Sequence, residues 1–432
     1  MNLKYQKICV LGLGYIGLPT ASTFATHGLK VIGVDNNEQV VVSLHNGKSH
    51  IYEPGLRTLV QAALRSGNLI VKKEPEDADA FIISVPTPIT NEKKADLSYV
   101  KTATESILPY LQKNNLVILE STCPPRTTID MVASILEGSG YQAGKDFYLV
   151  YSPERVLPGQ ILREIIENTR IIGGINPTSA EAARELYATF VKGEIILTDA
   201  TTAEMVKLME NSYRDENIAI ANEFTRIADH FGVDIWEAIR LANRHPRVNI
   251  LKPGPGVGGH CISVDPWFLV EAAPDISTII HTARKVNDSQ PAYVVNFIKQ
   301  SIGNLQGKRI AALGLAYKSN VDDLRESPAV EVVNLLANEG AKVKTFEPYK
   351  PEATVKNSNV CVSLKEVIRD AEVILLLVSH TQFQQLDPMT IRPITPAETA
   401  IDITGGWKRE QWETANFQFI RLGQKIKKDK LS

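Results

Sequence analysis

The sequence has little of what would mark a metalloprotein, a secreted protein or a membrane protein. Only four of its 432 residues are cysteine, and Cys9, Cys123, Cys261 and Cys361 form no C-x-x-C pair and no Cys/His cluster at metal-ligand spacing. No apolar run approaches the roughly 18 residues of a membrane span, and segment 8–13 is too short for a signal peptide. We therefore expect no metal site, no disulfide framework, no membrane partner and a reducing, cytoplasmic compartment.

The sequence also lacks an excess of charge of either sign. It has 47 Lys and Arg against 49 Asp and Glu, a net charge of −2. Such a chain has no global electrostatic footprint for nucleic acid, so any phosphate recognition has to be built locally. The basic segment 425–430 is expected to be a solvated end. The remaining composition, 44% hydrophobic and 22% charged, is that of a globular protein of two or three domains.

Short apolar runs alternate with helical patterns in both halves of the chain, which predicts parallel strands with crossover helices. Between the halves, residues 201–231 form a continuous helical pattern without Gly or Pro, about 45 Å long. The sequence thus predicts an α/β protein with two Rossmann-like, doubly wound domains joined by a long central helix. The expected strands are 7–11, 30–34, 80–85, 116–119, 147–151, 170–172, 309–313, 342–346, 373–378 and 399–403.

A glycine pattern after the first strand predicts a dinucleotide site. Gly12-x-Gly14-x-x-Gly17 follows a strand and opens a helix, and Asp35 ends the next strand. Gly12 permits the tight turn, Gly14 lets backbone N–H groups approach a pyrophosphate, and Gly17 lets helix and strand pack closely. Asp35 would accept from ribose hydroxyls and repel a 2′-phosphate, so NAD is favoured over NADP. The alternative is a glycine-rich turn that binds nothing.

The second half repeats this pattern in degraded form. Residues 310–317 line up with 8–15, although an echo of eight residues can arise by chance. The position that matches Gly14 is Ala316, whose methyl group obstructs the close approach of a pyrophosphate. We therefore expect no second dinucleotide to bind there in the same way.

Two basic residues of the second half could recognise phosphate instead. Lys318 and Arg325 can meet a phosphate with their side chains. Alternatively, both are surface charges, with Arg325 paired to Asp322 or Glu326. The sequence leaves both possibilities open.

Cys261 is the cysteine with reactive surroundings. It follows a loop with four glycines that ends in Gly258-Gly259, and Asp265 lies four residues on. Glycines leave room for a ligand, and N–H groups at the start of a following helix would lower the pKa of a thiol. A cysteine is more often an inert core residue, which is our expectation for Cys9 and Cys361, but these neighbours favour a nucleophile at Cys261.

Polar residues of the central helix form a second candidate group. Lys207 and Asn211 are spaced i, i+4 and share one face, with Arg214 one turn further. A lysine beside an amide can donate to a developing oxyanion. Because the same helix carries Glu204 and Glu210, an ordinary salt-bridged surface is the alternative.

Thr122 and Glu154 each follow a predicted strand. Ligands bind at the carboxyl ends of strands in sheets of this type. Both residues are therefore expected near a bound ligand.

Together these motifs resemble those of the UDP-glucose/GDP-mannose dehydrogenase superfamily, over nearly the whole chain. Within it, the sequence is most similar to UDP-N-acetyl-D-mannosamine dehydrogenases through residues 242–250 and 265–268. UDP-N-acetylglucosamine and UDP-glucose 6-dehydrogenases are the alternatives, and a non-catalytic regulator that binds NAD and a UDP-sugar is an alternative of another class. The matching segments are 12–19, 85–88, 120–122, 153–159, 204–223, 258–261 and 323–327.

The resemblance implies a four-electron oxidation, in which the C6 alcohol of a UDP-N-acetyl-hexosamine becomes a carboxylate while two NAD+ are reduced. Cys261 would capture the aldehyde as a thiohemiacetal, and a second hydride transfer would give a thioester that water hydrolyses.

The resemblance also implies the other catalytic roles. Lys207 and Asn211 would stabilise oxyanions, Asp265 and Thr122 would position water and hydroxyl protons, and Glu154 would act as an acid/base in thioester hydrolysis.

The same resemblance implies two sets of binding residues. His245 and Arg247 would come from the partner subunit of a homodimer formed through the central helices, so the active site would be shared; without the family, His245 could simply cap a helix end. The NAD pocket would be lined by Gly12, Gly14, Tyr15, Ile16, Gly17, Asp35, Thr87, Thr122 and Arg325. The nucleotide sugar would meet Arg155, Val156, Lys207, Asn211, Arg214, His245, Arg247, Gly258, Tyr317 and Lys318.

The implied domains are an NAD-binding Rossmann domain at 1–198, a central helical dimerisation domain with the catalytic cysteine loop at 199–300, and a UDP-sugar-binding Rossmann-like domain at 301–432. The chain departs from the family pattern in two places. Thr404 stands where relatives commonly carry a lysine, which removes one basic contact to the UDP-sugar. Residues 123–126 replace a smaller, Gly-containing turn, which could alter the nicotinamide pocket.

Overall fold

The computed structural model describes residues 5–356 and 358–424. The chain divides into two compact units, Met1–Glu210 with Trp267–Ile276 and Asn211–Pro266 with Ser277–Ser432. The segment 425–430, expected to be a solvated end, lies outside the described residues.

The first unit is built on an eight-stranded sheet with the order β3-β2-β1-β4-β5-β6-β7-β8. Both faces are covered, because successive residues of β1 enter different cores: Ile8 and Val10 pack in one, Cys9 and Leu11 in the other. Such two-sided burial explains the continuous apolar runs of these strands. The strands are β1 Lys7–Leu11, β2 Lys30–Val34, β3 Leu69–Lys72, β4 Ala80–Ile83, β5 Leu116–Leu119, β6 Tyr148–Tyr151, β7 Arg170–Gly174 and β8 Ile195–Asp199.

Two strands of this sheet, β7 and β8, run opposite to the other six, whereas the sequence predicted parallel strands. β7 pairs antiparallel with β6, whereas the other neighbouring pairs are parallel. The helix between them, Ile161–Glu167, spans about 10 Å and does not carry the chain back along the sheet. As a result, β7 begins beside the carboxyl end of β6, where Arg170 donates to the Ser152 hydroxyl.

Helices cover both faces of the first sheet. The turn Thr128–Val132 is a π-helical segment that leads directly into α5. The helices are α1 Gly17–Thr26, α2 Glu38–His45, α3 Leu56–Arg65, α4 Ser98–Ile107, α5 Ala133–Glu137, α6 Ile161–Glu167 and α7 Pro177–Tyr187.

The predicted central helix is confirmed as α8, Ala200–Phe231, with 32 residues. Its length is about 48 Å at 1.5 Å per residue. It is followed by α9 Ile235–Ala242, α10 Asp265–Ala272, α11 Thr278–Asp288 and α12 Gln290–Ile302.

The second unit contains a six-stranded, entirely parallel sheet with the order β11-β10-β9-β12-β13-β14. Two Rossmann-like, doubly wound sheets and the long helix confirm the predicted α/β fold class. The strands are β9 Arg309–Leu313, β10 Lys342–Phe346, β11 Asn359–Val360, β12 Val373–Leu376, β13 Thr399–Asp402 and β14 Gln418–Arg421. The helices are α13 Pro328–Asn338, α14 Leu364–Ile368, α15 Thr381–Gln384, α16 Pro388–Ile391 and α17 Arg409–Thr414.

The sequence missed four strands, and all four lie at sheet edges: β3, β8, β11 and β14. Edge strands are partly exposed and short, so they lack the buried apolar run that marks a central strand. The alternating burial of β3 is an example. Within the described residues, none of the helices is long and apolar enough to cross a membrane.

Candidate active site

The glycine turn at the end of β1 has the geometry that a pyrophosphate requires. Gly12 has φ +90°, and a Cβ there would lie 2.4 Å from the Ser84 carbonyl oxygen. A Cβ at Gly17 would lie 1.8 Å from the Gly12 carbonyl oxygen, so only glycine permits this contact between turn and helix. At Gly14 a Cβ would meet no protein atom within 4 Å, which leaves open space in front of the backbone. The turn therefore fits a dinucleotide at the amino end of α1.

Asp35, at the end of β2, faces this turn. Its Oδ2 accepts from the Leu13 N–H at 3.0 Å and its Oδ1 from the Asn37 N–H at 2.9 Å. The carboxyl is only partly buried, and each oxygen keeps a second acceptor site. These are the properties that ribose binding needs. Tyr15, Ile16 and Thr87 are also partly buried.

The turn 123–126, which departs from the family pattern, is hydrogen-bonded to Glu204 of α8. The Glu204 carboxyl accepts from the Arg126 N–H at 2.5 Å, from the Thr128 N–H at 2.8 Å and from the Thr128 hydroxyl at 2.6 Å. The Cys123 thiol donates to the same carboxyl at 3.7 Å. Burial raises the pKa of Glu204. Helix α8 thus fixes the turn that follows Thr122, which is itself partly buried.

Glu154 lies in a buried ionic cluster that the sequence did not reveal. Its Oε2 accepts from Arg170 Nη2 at 2.5 Å, and its backbone carbonyl accepts from Lys207 Nζ at 2.9 Å. Arg170 also stacks over the Tyr187 ring, 4.2 Å from its centroid. The structure therefore brings two predicted catalytic residues, Glu154 and Lys207, into direct contact.

A second carboxyl completes this cluster. Glu120 Oε1 accepts from the Tyr187 hydroxyl at 2.6 Å and lies 3.6 Å from Arg170 Nη1. Its Oε2 is buried without a hydrogen-bond partner. Burial raises the pKa of Glu120 to about 7; the charge of Arg170 opposes that rise and the charge of Glu154 adds to it. Arg170 keeps its charge, because the pull of these carboxylates outweighs the effect of burial and raises its pKa.

Arg155, predicted to bind the substrate, makes contacts within the first unit. Its guanidinium donates to both oxygens of Glu210, at 2.5 and 2.9 Å, and to the Thr169 carbonyl at 3.0 Å. The neighbouring Val156 is partly buried. Glu210 therefore forms an ordinary salt bridge, as the alternative interpretation of α8 expected, whereas Lys207 has a different partner.

In the second unit, Cys261 lies in a turn that leads directly into α10. Its carbonyl accepts from the Val264 N–H at 3.0 Å and from the Asp265 N–H at 2.8 Å. The side chain is partly buried. Asp265 opens the helix, and its Oδ2 accepts from Asn211 Nδ2 at 2.5 Å. Three predicted catalytic residues are thus grouped by one turn and one hydrogen bond.

The two glycines before Cys261 pack closely against another part of the protein's own chain. A Cβ at Gly258 would lie 2.4 Å from the Glu326 carbonyl oxygen, and one at Gly259 would lie 2.9 Å from the Tyr317 ring. The Gly259 N–H also donates to the Arg325 carbonyl at 3.1 Å. The prediction that these glycines leave room for a ligand is therefore wrong for Gly258 and Gly259. They let the cysteine turn pack against residues 317–326.

A cavity of about 410 Å³ lies at the carboxyl edge of the second sheet, where the strand order reverses between β9 and β12. Ligands bind at such reversals. Two basic residues line it: Lys318, which the family resemblance implies for nucleotide-sugar binding, and Lys252, which was not predicted although it directly precedes the glycine- and proline-rich loop 253–259. Tyr317 lines the same cavity. Its volume is in the range that small-molecule sites occupy.

Thr404, at the site of the missing lysine, also lines this cavity. Its N–H donates to Asp402 Oδ1 at 3.0 Å, and the Gly406 and Trp407 N–H groups donate to the same carboxyl at 3.2 and 3.0 Å. Arg421 supplies the positive charge, with Nε 3.2 Å from Asp402 Oδ2. These contacts hold the turn 402–407 around the Asp402 carboxyl.

The remaining predicted residues are placed as follows. Arg325 forms a two-pronged ion pair with Asp323, with Nη2 to Oδ2 at 2.6 Å, a partner that the sequence did not single out. His245 is exposed three residues beyond the end of α9 and accepts from the Arg247 N–H, so it does not cap the helix. Arg247 and Arg214 are exposed as well.

The other cysteines have the environment of core residues. Burial raises the pKa of the Cys9 thiol to about 12 and also raises that of Cys361. All four cysteines are free thiols. Among the residues that the structure describes, no group of His, Cys, Asp or Glu could hold a metal ion.

Comparison with known proteins places these features in a family. The chain matches the three models of the UDP-glucose/GDP-mannose dehydrogenase family: the NAD binding domain over residues 6–191, the central domain over 201–289 and the UDP binding domain over 311–409.

Individual relatives match over the whole length. A UDP-N-acetyl-D-mannosamine dehydrogenase from Methanocaldococcus jannaschii is 50% identical over 424 residues, which cover 97% of this chain and 96% of that protein. An NDP-N-acetyl-D-galactosaminuronic acid dehydrogenase from Ralstonia nicotianae is 46% identical, covering 95% and 98%. The structure of a UDP-D-ManNAc dehydrogenase from Pyrococcus horikoshii superimposes with a TM-score of 0.90 at 40% identity, covering 97% and 99%. The chain belongs to the UDP-glucose/GDP-mannose dehydrogenase family and is an NAD-dependent oxidoreductase.

Proposed function

We propose that the protein oxidises the C6 alcohol of UDP-N-acetyl-D-mannosamine to the carboxylate. The observation that carries the proposal is the Cys261 turn, with Asp265 at its end and Asn211 bonded to Asp265. The similarity to UDP-N-acetyl-D-mannosamine dehydrogenases at up to 50% identity supports the choice of sugar.

In this proposal each residue acts through the chemistry of its side chain. NAD+, when bound, accepts the hydrides that the two oxidation steps release. The Cys261 thiolate adds to the C6 aldehyde to form a thiohemiacetal, which keeps the aldehyde from escaping. Lys207 and Asn211 donate to the oxygen that becomes negative, because an ammonium and an amide both stabilise an oxyanion.

Hydrolysis of the resulting thioester needs a base and a positioned water. We propose Glu154 as the acid/base and Asp265 and Thr122 as the groups that position water and hydroxyl protons. The ion pair between Arg170 and Glu154 supports this role, since it fixes the Glu154 carboxyl in one orientation.

We further propose that the protein is a homodimer formed through α8. Six large apolar side chains are exposed along one side of this helix, with Tyr213 at 70% and Phe231 at 72%. At 100° per residue they lie within about 40° of a common line, so a second copy of the helix can cover them together. The six are Met209, Tyr213, Ile220, Phe224, Ile227 and Phe231.

The dimer proposal includes a shared active site, in which His245 and Arg247 of each subunit serve the other. Their exposure supports it, because a residue that acts across an interface has to be accessible on the single chain. The three functional parts 1–198, 199–300 and 301–432 belong to the same proposal. So does a cytoplasmic location, since a thiol nucleophile needs a reducing compartment.

NADH release on four nucleotide sugars tests the substrate: UDP-N-acetylmannosamine, UDP-N-acetylglucosamine, UDP-N-acetylgalactosamine and UDP-glucose. We expect two NADH per UDP-N-acetylmannosamine consumed and much lower kcat/KM for the others. The galactosamine sugar is included because of the Ralstonia relative. Turnover of UDP-glucose with none of the N-acetyl sugars would contradict the proposal.

The variant Cys261→Ser tests the chemistry on the preferred sugar. Formation of the carboxylate should collapse while the fold stays intact, since serine lacks the nucleophilicity of a thiolate. Cys361→Ser is the matched control and should keep full turnover, because Cys361 is a buried residue of a hydrophobic core. Unchanged NADH production by Cys261→Ser would rule out the thioester route.

A further inference from the structure

The segment 315–320 carries four consecutive residues that line the cavity of the second unit: Ala316, Tyr317, Lys318 and Ser319. It is not part of a helix or strand, so its own backbone does not hold these side chains in place. Something outside the segment has to do so if they are to bind a ligand.

Glu347, at the carboxyl end of β10, holds the start of this segment. Its Oε2 accepts from the Leu315 N–H at 2.7 Å and from the Ala316 N–H at 3.0 Å, and Oε1 accepts from the Tyr349 N–H at 3.1 Å. The residue is 1% exposed. Hydrogen bonds from His380 and from the backbone keep the pKa of Glu347 below its ordinary value although burial alone would raise it, so the carboxylate stays ionised.

His380, which follows β12, holds the end of the segment. Its Nδ1 accepts from the Asn320 N–H at 2.9 Å, and its Nε2 lies 3.0 Å from Glu347 Oε2. Because Nδ1 is the acceptor, the proton is on Nε2, which donates to the carboxylate. The imidazole is fully buried and packs against the rings of Tyr349 and Phe383.

The side chain of Asn320 adds a second attachment at the same end. Its Oδ1 accepts from the Thr381 N–H at 2.9 Å and from the Tyr349 hydroxyl at 3.2 Å, and its Nδ2 donates to the Thr381 hydroxyl at 2.9 Å. The backbone here has φ +64°, which asparagine and glycine tolerate.

Asp35 of the first unit, which follows β2 as Glu347 follows β10, is used differently. Asp35 accepts from one N–H of the turn after β1 and stays partly exposed, whereas Glu347 accepts from two N–H groups of the turn after β9, from the Tyr349 N–H and from His380, and is buried. The acid of the first sheet can therefore meet a ribose, whereas the acid at the same place in the second sheet is enclosed and orders a loop.

We infer that Glu347 and His380 are positioning residues, which hold both ends of segment 315–320 and so present Tyr317, Lys318 and Ser319 to a nucleoside diphosphate in the cavity. This inference rests on the proposed function, since a UDP-sugar is the ligand that supplies the diphosphate. A loop ordered in advance binds more tightly, because less conformational entropy is lost on binding. The contacts of Glu347 and His380 with this segment should therefore affect the affinity for the ligand and not the rate of the chemical step.

Two variants of the full-length protein test this inference. His380→Phe keeps an aromatic ring between Tyr349 and Phe383 but removes both hydrogen bonds of the imidazole. Asn320→Gly removes the three side-chain bonds at an exposed position, tolerates the positive φ and carries little risk to folding. Thr395→Val is the matched control, since it deletes two buried hydrogen bonds of the same unit, to the Ile368 carbonyl and from the Ala397 N–H, that do not involve the segment.

UDP affinity by calorimetry, with KM and kcat for the nucleotide sugar, gives the readout. We expect the Kd of UDP and the KM of the sugar to rise about tenfold in both variants. The kcat at saturation and the KM of NAD+ should stay within about twofold of the wild type, and Thr395→Val should bind UDP normally.

Three results would decide against the inference. Wild-type UDP affinity in Asn320→Gly and in folded His380→Phe would overturn it, and so would an equal loss of affinity in Thr395→Val. If the wild-type protein itself bound no UDP, the proposed function would fail first and this inference with it.

Discussion

Arg170 Nη2 donates to Glu154 Oε2 at 2.5 Å, and the two side chains are only 4% and 7% exposed. A buried ion pair of this kind fixes the orientation of its carboxylate, because both charges lose their partner if either side chain rotates. Glu120 shares the same guanidinium. The protonation of Glu120 therefore bears on the charge around the proposed acid/base.

Glu120→Gln should make stability less sensitive to pH. The pKa of Glu120 is raised in the folded protein, so the folded state binds more protons than the unfolded state between about pH 4.5 and 7, and stability falls as pH rises through that range. Because glutamine has no carboxyl to deprotonate, the variant does not lose stability in this way. Urea unfolding at pH 5 and 8 should show the variant gaining up to about 3 kcal/mol relative to the wild type over that interval. A difference between the two proteins that does not change with pH would contradict the assignment.

Asp35→Asn should relax the choice of dinucleotide. An amide still accepts a hydrogen bond from ribose but no longer repels a 2′-phosphate, so the preference for NAD+ over NADP+ in kcat/KM should fall by about tenfold or more. Asp79→Asn is the control. Its carboxyl binds the Gln6 and Lys7 N–H groups, and its replacement should leave cofactor preference unchanged.

Lys207→Ala and Asn211→Ala should each lower kcat by roughly 10²–10³, the loss expected for a donor to a developing oxyanion. The affinity for UDP alone should change little, because the oxyanion belongs to the sugar. Asn217→Ala removes an amide of the same helix that donates to the Tyr213 carbonyl, and should keep kcat. If all three variants behaved alike, the effect would be one of helix stability.

Complementation between subunits tests the shared site. Cys261→Ser and Arg247→Ala should each be nearly inactive as pure proteins. An equal mixture allowed to exchange subunits should recover about a quarter of wild-type activity, because half of the dimers are mixed and each of those has one intact site. No recovery in a mixture proven to contain mixed dimers would place Arg247 and Cys261 in the same subunit's site.

Phe224→Asp tests the apolar side of α8. Phe224 is 42% exposed on the single chain, so a carboxylate there costs little in an isolated subunit but would be buried at the proposed interface. Light scattering should show a shift from dimer to monomer, with unchanged circular dichroism. Glu223→Asp, on the neighbouring exposed position, should remain dimeric.

The sequence alone was sufficient for the central strands, the glycine turn and the long helix. Strands such as β1 and β9 are buried on both faces, and their apolar runs are visible without any partner. Gly12 and Gly17 are required by backbone geometry within one turn, so their spacing is also a local signal. The edge strands escaped prediction because half of each faces away from the cores.

The ionic cluster could not be predicted, for a topological reason. In a wholly parallel sheet Arg170, the first residue of β7, would lie at the edge opposite Glu154. The antiparallel pairing of β7 with β6 brings it to the carboxyl edge instead. Likewise Glu347 follows β10 as Asp35 follows β2, and only packing against His380 reveals that the Glu347 carboxylate is enclosed.

The sequence by itself determined the family, the fold class and the residue types that carry the chemistry, because these depend on local spacing and on apolar periodicity. Tertiary structure alone decided which of those residues meet: Glu154 with Arg170 and Lys207, Asn211 with Asp265, and Gly259 with Tyr317. These contacts join residues about 16 to 58 positions apart. Their formation depends on strand direction and on the packing of loops, which no local pattern specifies.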